Sequence, residues 1–169
     1  MDSPDQTVDR ADAIGYQRGE WVAQRIGWGV MTLIVLAAVL GLLGDTGPLA
    51  RAAAESPDGS LRVEYTRIEH HHSPSILIVT VSPDVVTAGE VRLWIDADYV
   101  ANLSIDTIIP EPEGVEVGPD RVVYGFTVSE HYAPFEIVFN HEQDGYWWNQ
   151  GKIGIEGGGV VELRQVVLP

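Results

Sequence analysis

Residues 61–82 read LRVEYTRIEHHHSPSILIVTVS, and this stretch decides the fold. Leu61, Val63 and Tyr65 alternate with Arg62, Glu64 and Thr66, the period of two that a half-exposed strand requires. Ser75–Ser82 is apolar on both faces, as in a strand central to a sheet, and Pro83-Asp84 breaks it. Between the two strands stand three consecutive histidines, His70, His71 and His72.

The same period continues toward the C-terminus. Val91, Leu93, Ile95 and Ala97 alternate with Arg92, Trp94, Asp96 and Asp98. Asn102–Ile109 is a strand ended by Pro110, and 110–119 reads as loop. Val122, Tyr124, Phe126 and Val128 line one face of the next strand, and Phe135, Ile137 and Phe139 line another. Trp148–Glu156, a Gly157-Gly158-Gly159 turn and Val160–Leu168 close the chain. No stretch from Leu61 to Pro169 sustains helical periodicity. The pattern predicts seven to nine short antiparallel strands, an all-β domain with an immunoglobulin-like β-sandwich architecture over residues 61–169.

N-terminal to this domain the pattern changes. Ile26–Gly44 is an uncharged run of 19 residues bounded by Arg25 and Asp45. As a helix it is about 28 Å long, close to the hydrocarbon thickness of a bilayer. Trp21 and Trp28 stand where an aromatic belt places them. The run predicts one transmembrane helix over 26–44. Residues 1–9 read as disordered, 10–25 as a short helix leading into the span, and 45–60, rich in Gly, Pro, Ala and Ser, as a linker. Arg10, Arg18 and Arg25 precede the span, while Arg51 and Arg62 follow it. The positive-inside rule therefore puts the N-terminus in the cytoplasm and the C-terminal domain outside. Ala52-Ala53-Ala54 resembles a signal-peptide cleavage site, but the apolar run is too long and the preceding segment too acidic, so an uncleaved signal anchor is expected.

Ten Lys and Arg face 25 Asp and Glu, a net charge of −15. Nearly all of that acidity, −13, falls in residues 55–169. Nucleic acid is excluded as a partner, because phosphate contacts need clustered basic residues. The chain has no cysteine, which removes disulfides, thiolate metal sites and cysteine nucleophiles together. Nine Arg against one Lys fits a GC-rich bacterial genome, and so a bacterial inner membrane as location.

Three features carry candidate chemistry. The first is His70, His71 and His72, with His131 and His141 near strand ends. Histidine is the commonest metal ligand, but neighbours in sequence point apart, so a copper or zinc site would need the loops at one end to meet. The alternative is a solvated turn. The only methionines are Met1 and Met31, which weakens a Cu(I) role. The second is Asp96 and Asp98, which in a strand share one face and offer either a cation site or a solvated surface. The third follows Asp144-Gly145, a hairpin signal, where Tyr146, Trp147 and Trp148 stand in a row. Three adjacent aromatics cannot all face one core. They either close the core at the sheet end or form a recognition surface.

No nucleophile-elbow, zinc-protease, phosphate-loop or dinucleotide motif occurs, so the chain reads as a non-enzyme without a cofactor. The reading is a membrane-anchored binding or accessory module for another membrane or envelope protein. The alternative is an envelope metal-binding protein that uses the histidines.

The run GLLGDTGPLARA after the span, the strand LRVEY and the ending VELRQVVLP together resemble uncharacterised bacterial single-pass membrane proteins. These have one span near the N-terminus and a β-rich extracytoplasmic domain. The resemblance covers roughly residues 20–169. It implies topology alone and brings no site residue with it.

Overall fold

Apolar–polar alternation lays the C-terminal region out as strands whose inward residues meet across two sheets. The computed structural model describes residues 5–40, 50–129 and 132–169, with residues 5–19 by backbone alone. Two compact units result, one ending at Val39 and one beginning at Leu40.

The first unit is a single helix, α1 (Asp5–Val39). It begins inside the stretch expected to be disordered, with Asp5 and Asp9 near its N-terminus, where acidic side chains favour the helix dipole. Its Glu20–Val39 portion is long and apolar enough to cross a membrane, and none of it is buried. At the charged end of that portion the Arg25 guanidinium lies 3.6 Å from the Trp21 ring centroid. The residues expected to extend the span beyond Leu40, 41–44, lie outside the described residues.

Among its described residues the second unit holds eleven strands, ten of them within 61–169, where seven to nine were expected. One sheet contains, in order, β1 (Arg51–Glu55), β2 (Leu61–Thr66), β4 (Pro74–Val81), β9 (Phe135–Gln143) and β6 (Leu103–Ile109). The other contains β3 (Ile68–His70), β11 (Val160–Leu168), β10 (Trp147–Ile155), β5 (Glu90–Asp96), β8 (Arg121–Thr127) and β7 (Gly114–Val117). The pairing is antiparallel throughout except for β3 on β11, which run parallel. The two-sheet architecture is the predicted all-β, immunoglobulin-like sandwich.

The additional strands come from short segments. β1 falls within residues read as linker, where Ala52 packs into the core. β7 falls within residues read as loop and is exposed along its whole length. Neither is long enough to show a period by itself; each forms because a longer neighbour, β2 or β8, offers it a ladder.

The core is built by inward rows. Leu61, Val63 and Tyr65 face Leu77, Val79 and Val81 of the same sheet, and Ile137 and Phe139 continue the row. From the other sheet come Val91, Leu93 and Ile95, with Ile153, Ile155, Val161 and Leu163. Tyr124 meets Phe139 edge-on at 5.5 Å between centroids. Each fully buried side chain of this size contributes about 1.5–3 kcal/mol of transfer free energy. β4 is central, as expected, but only its inner face is covered: Ile76 on the outer face is 51% exposed.

The alternation of β5 stops at Asp96. A short helix, α2 (Ala97–Val100), follows and turns Tyr99 fully into the core. Asp96 and Asp98 therefore do not share a strand face, contrary to expectation. Asp98 lies on the helix, and Asp96 Oδ2 accepts the Lys152 backbone N–H at 2.8 Å.

Candidate interaction surface

Three chain reversals meet at one end of the sandwich. They are the β3–β4 turn at His71–Ser73, the β9–β10 turn at Asp144–Tyr146, and Ala101–Asn102 after α2. Backbone hydrogen bonds lock them together. The His72 N–H donates to the Gln143 carbonyl at 2.9 Å, and the His71 N–H donates to the Leu168 carbonyl at 2.8 Å. The Asn102 carbonyl accepts from Asp144 at 2.9 Å and from Gly145 at 3.3 Å.

This closure brings part of the histidine triplet against the aromatic row. The Tyr146 hydroxyl and His71 Nε2 share a hydrogen bond of 2.8 Å, and their rings stack with centroids 4.1 Å apart. The His71 and His72 centroids are 3.8 Å apart, and His72 Nδ1 is 3.3 Å from Asp144 Oδ1. Tyr146, Trp147 and Trp148 are 57%, 66% and 72% exposed, so none of the three closes the core. Trp147 would continue the inward row Asn149–Gly151–Ile153. It sits beyond the end of that core, with a φ of 69°, a conformation that costs a β-substituted residue about 1–3 kcal/mol.

Trp148 lies on the outer face of its sheet. The register sets it beside Val166, and Val166 beside Ile68, in a row across three strands. Val166 and Ile68 are half-buried. An apolar strip thus adjoins the pinned Tyr146, in a domain that is otherwise strongly acidic.

Behind this rim the sandwich interior is polar. Glu69, His141, Gln143, Asn149 and Gln165 are all buried. Glu69 Oε1 accepts from the Ser75 hydroxyl at 2.6 Å and from Gln165 Nε2 at 2.9 Å. The Tyr99 hydroxyl donates to Gln165 Oε1 at 2.7 Å. His141 Nε2 lies 3.8 Å from Glu69 Oε1, too far for a hydrogen bond. Among the described residues, both ring nitrogens of His141, both amide atoms of Gln143 and Glu69 Oε2 have no hydrogen-bond partner. Burial pushes the Tyr99 phenol well above the ordinary tyrosine range.

The described candidate histidines fall in different surroundings. His70 extends the outer face of β3, His71 stacks on Tyr146, His72 turns to Asp144, and His141 is sealed between the sheets. His71 and His72 stay together at the rim, while His141 is buried beside Glu69. Among the described residues no three His, Asp or Glu side chains form a metal-binding group. His131 lies outside the described residues.

Of this buried polar cluster only His141 is among the residues expected to carry chemistry, although the alternation turns others inward as well. Gln143 follows Ile137, Phe139 and His141 in one inward row, and Gln165 follows Val161 and Leu163 in another.

No known protein-family model matches the chain, and no curated protein is similar to it. Among solved structures it is similar to a cohesin module from Clostridium perfringens ATCC13124 family 33 glycoside hydrolase. The identity is 8%, over 68% of this chain and 96% of that one, with a TM-score of 0.42.

Proposed function

We propose that this protein is a non-catalytic, membrane-anchored binding module whose aromatic end docks another protein of the bacterial envelope. The observation that carries the reading is the exposure of Tyr146, Trp147 and Trp148 together, with Tyr146 held in place by His71. Large aromatic surface left in water is unfavourable unless something covers it, and aromatic anchors dominate binding energy at protein interfaces. Fixing such a side chain before contact lowers the entropy cost of docking.

The anchor in this reading is the Glu20–Val39 portion of α1, with the cytoplasmic side set by Arg10, Arg18 and Arg25. The sandwich then lies outside the inner membrane. A domain carrying −13 repels other acidic surfaces, which favours contact through its apolar aromatic end.

A photo-reactive phenylalanine analogue placed at position 148 of the full chain tests the reading in intact membranes. It is expected to give a discrete protein adduct that is lost in Trp147→Ala. The same probe at position 117, an exposed site on β7, is expected to give none. Equal labelling from both positions, or an adduct indifferent to Trp147→Ala, rejects the aromatic end as the docking surface.

A further inference from the structure

The two sheets end in four edge strands, β1 and β6 in one, β3 and β7 in the other. Three of these edges carry devices that discourage further pairing. β3 is three residues long, and β7 is four residues long between Pro112 and Pro119. β6 shifts register between Ile105 and Thr107 and stops at Pro110. β1 is guarded less: Arg51–Glu55 keeps unbroken register with β2 and contains neither Gly nor Pro, although Pro48 and Pro57 flank it.

Its free side can be read from its bonded side. The Ala50 carbonyl accepts the Arg67 N–H at 2.6 Å, and the Ser56 N–H donates to the Leu61 carbonyl at 2.8 Å. Backbone groups alternate sides along an antiparallel strand. Those of Arg51, Ala53 and Glu55 therefore point away from β2, and among the described residues no hydrogen bond reaches them. The side chains of the same three residues are exposed. Neither Arg51 nor Glu55 joins an ion pair among the described residues.

The sequence of this edge, RAAAE, complements itself when reversed. Antiparallel pairing about Ala53 sets Arg51 of each copy opposite Glu55 of the other. The alanines between them leave the strands free to approach. A parallel approach sets Arg51 on Arg51, and an antiparallel register shifted by two residues leaves no Arg opposite a Glu. We propose that β1 is a self-association edge, on which a second copy of this chain pairs β1 to β1 across a two-fold axis at Ala53. The two five-stranded sheets then become one continuous sheet through an isologous contact. The Ala53–Ala53 pair and both Arg51–Glu55 pairs each exchange two N–H···O bonds, the Ala52–Ala54 pairs between them exchange none, and the two Arg–Glu pairs flank the axis.

The absence of cysteine makes the test specific. In Ala53→Cys of the full chain, in detergent micelles, the new thiols lie on the axis, and a short bis-maleimide is expected to join them into a covalent dimer. Val117→Cys, exposed on β7, is the comparison and is expected to stay monomeric. Added to Ala53→Cys, either Arg51→Glu or Glu55→Arg places like charges opposite each other and is expected to lower the dimer yield roughly tenfold. Arg51→Glu with Glu55→Arg is expected to restore it. Both residues are exposed, and matched thermal unfolding curves verify that the reversals leave the fold intact. Dimer yield from Ala53→Cys no greater than from Val117→Cys overturns the proposal. Yield unaffected by single reversal, or not restored by the double, overturns it equally.

Discussion

Tyr146 and His71 lie 75 residues apart in the chain, yet they share a 2.8 Å hydrogen bond and stack ring on ring. Each belongs to a different turn, so the pair clasps the β3–β4 and β9–β10 reversals together at the surface. Tyr146 is thereby positioned before any partner arrives, with the two tryptophans beside it. The rim is ordered by exposed contacts, while the interior beneath it is ordered by the hydrogen bonds among Ser75, Glu69, Gln165 and Tyr99. The two sets share no residue, so substitutions can address them separately.

Trp147→Gly is expected to abolish docking without lowering stability. Glycine adopts the 69° φ without the penalty borne by tryptophan, and the indole is largely in water. Denaturant midpoints should be unchanged or rise by up to about 1 kcal/mol equivalent. A loss beyond that would mean the indole packs on the fold rather than serving a partner.

Tyr99→Phe removes the hydroxyl that donates to Gln165 and should cost about 1–2 kcal/mol at neutral pH. Burial raises the Tyr99 phenol well above its ordinary value of 10.0, so the folded state keeps a proton that the unfolded chain releases. That contribution is complete below pH 10 and is lost as pH rises further. Alkaline unfolding curves should therefore fall less steeply in Tyr99→Phe than in the natural chain. Tyr124, also raised by burial, accounts for part of the remaining slope.

Glu69→Ala deprives both the Ser75 hydroxyl and the Gln165 amide of their acceptor. The expected loss is about 2–4 kcal/mol by urea denaturation. Glu69→Gln keeps an oxygen for both donors and removes the buried charge, so its effect should stay within about 1 kcal/mol. Equal losses from the two variants would show that charge, not hydrogen bonding, is what the site requires.

Gly151 faces the Cβ of Tyr99 so closely that an added methyl would collide with it. Tyr99 cannot retreat, because it is fully buried on α2. Gly151→Ala should cost about 1–3 kcal/mol through overpacking. Thermal unfolding of that variant unchanged from the natural chain would mean that α2 moves freely.

The sandwich and the apolar helix were legible because both rest on local periodicity. Leu61, Val63 and Tyr65 alternate whatever lies across from them, and an uncharged run registers its length without reference to other segments. β1 was illegible for the same reason: three alanines carry no period, and only pairing with β2 makes them a strand. The Asp96–Asp98 face failed because Tyr99 is drawn inward, toward Gln165 and the space beside Gly151.

By itself, then, the sequence determined the class of fold, the candidate anchor, the acidity of the C-terminal domain and the residues worth watching. Only the tertiary structure decided which of those residues meet. It set His71 on Tyr146, buried His141 beside Glu69, turned Tyr146, Trp147 and Trp148 into solvent and, among the described residues, left the far edge of β1 without a hydrogen-bonded neighbour. Alternation is a property of neighbours along the chain. Juxtaposition depends on strand register and on where each turn returns, and these are settled by packing among segments far apart in sequence.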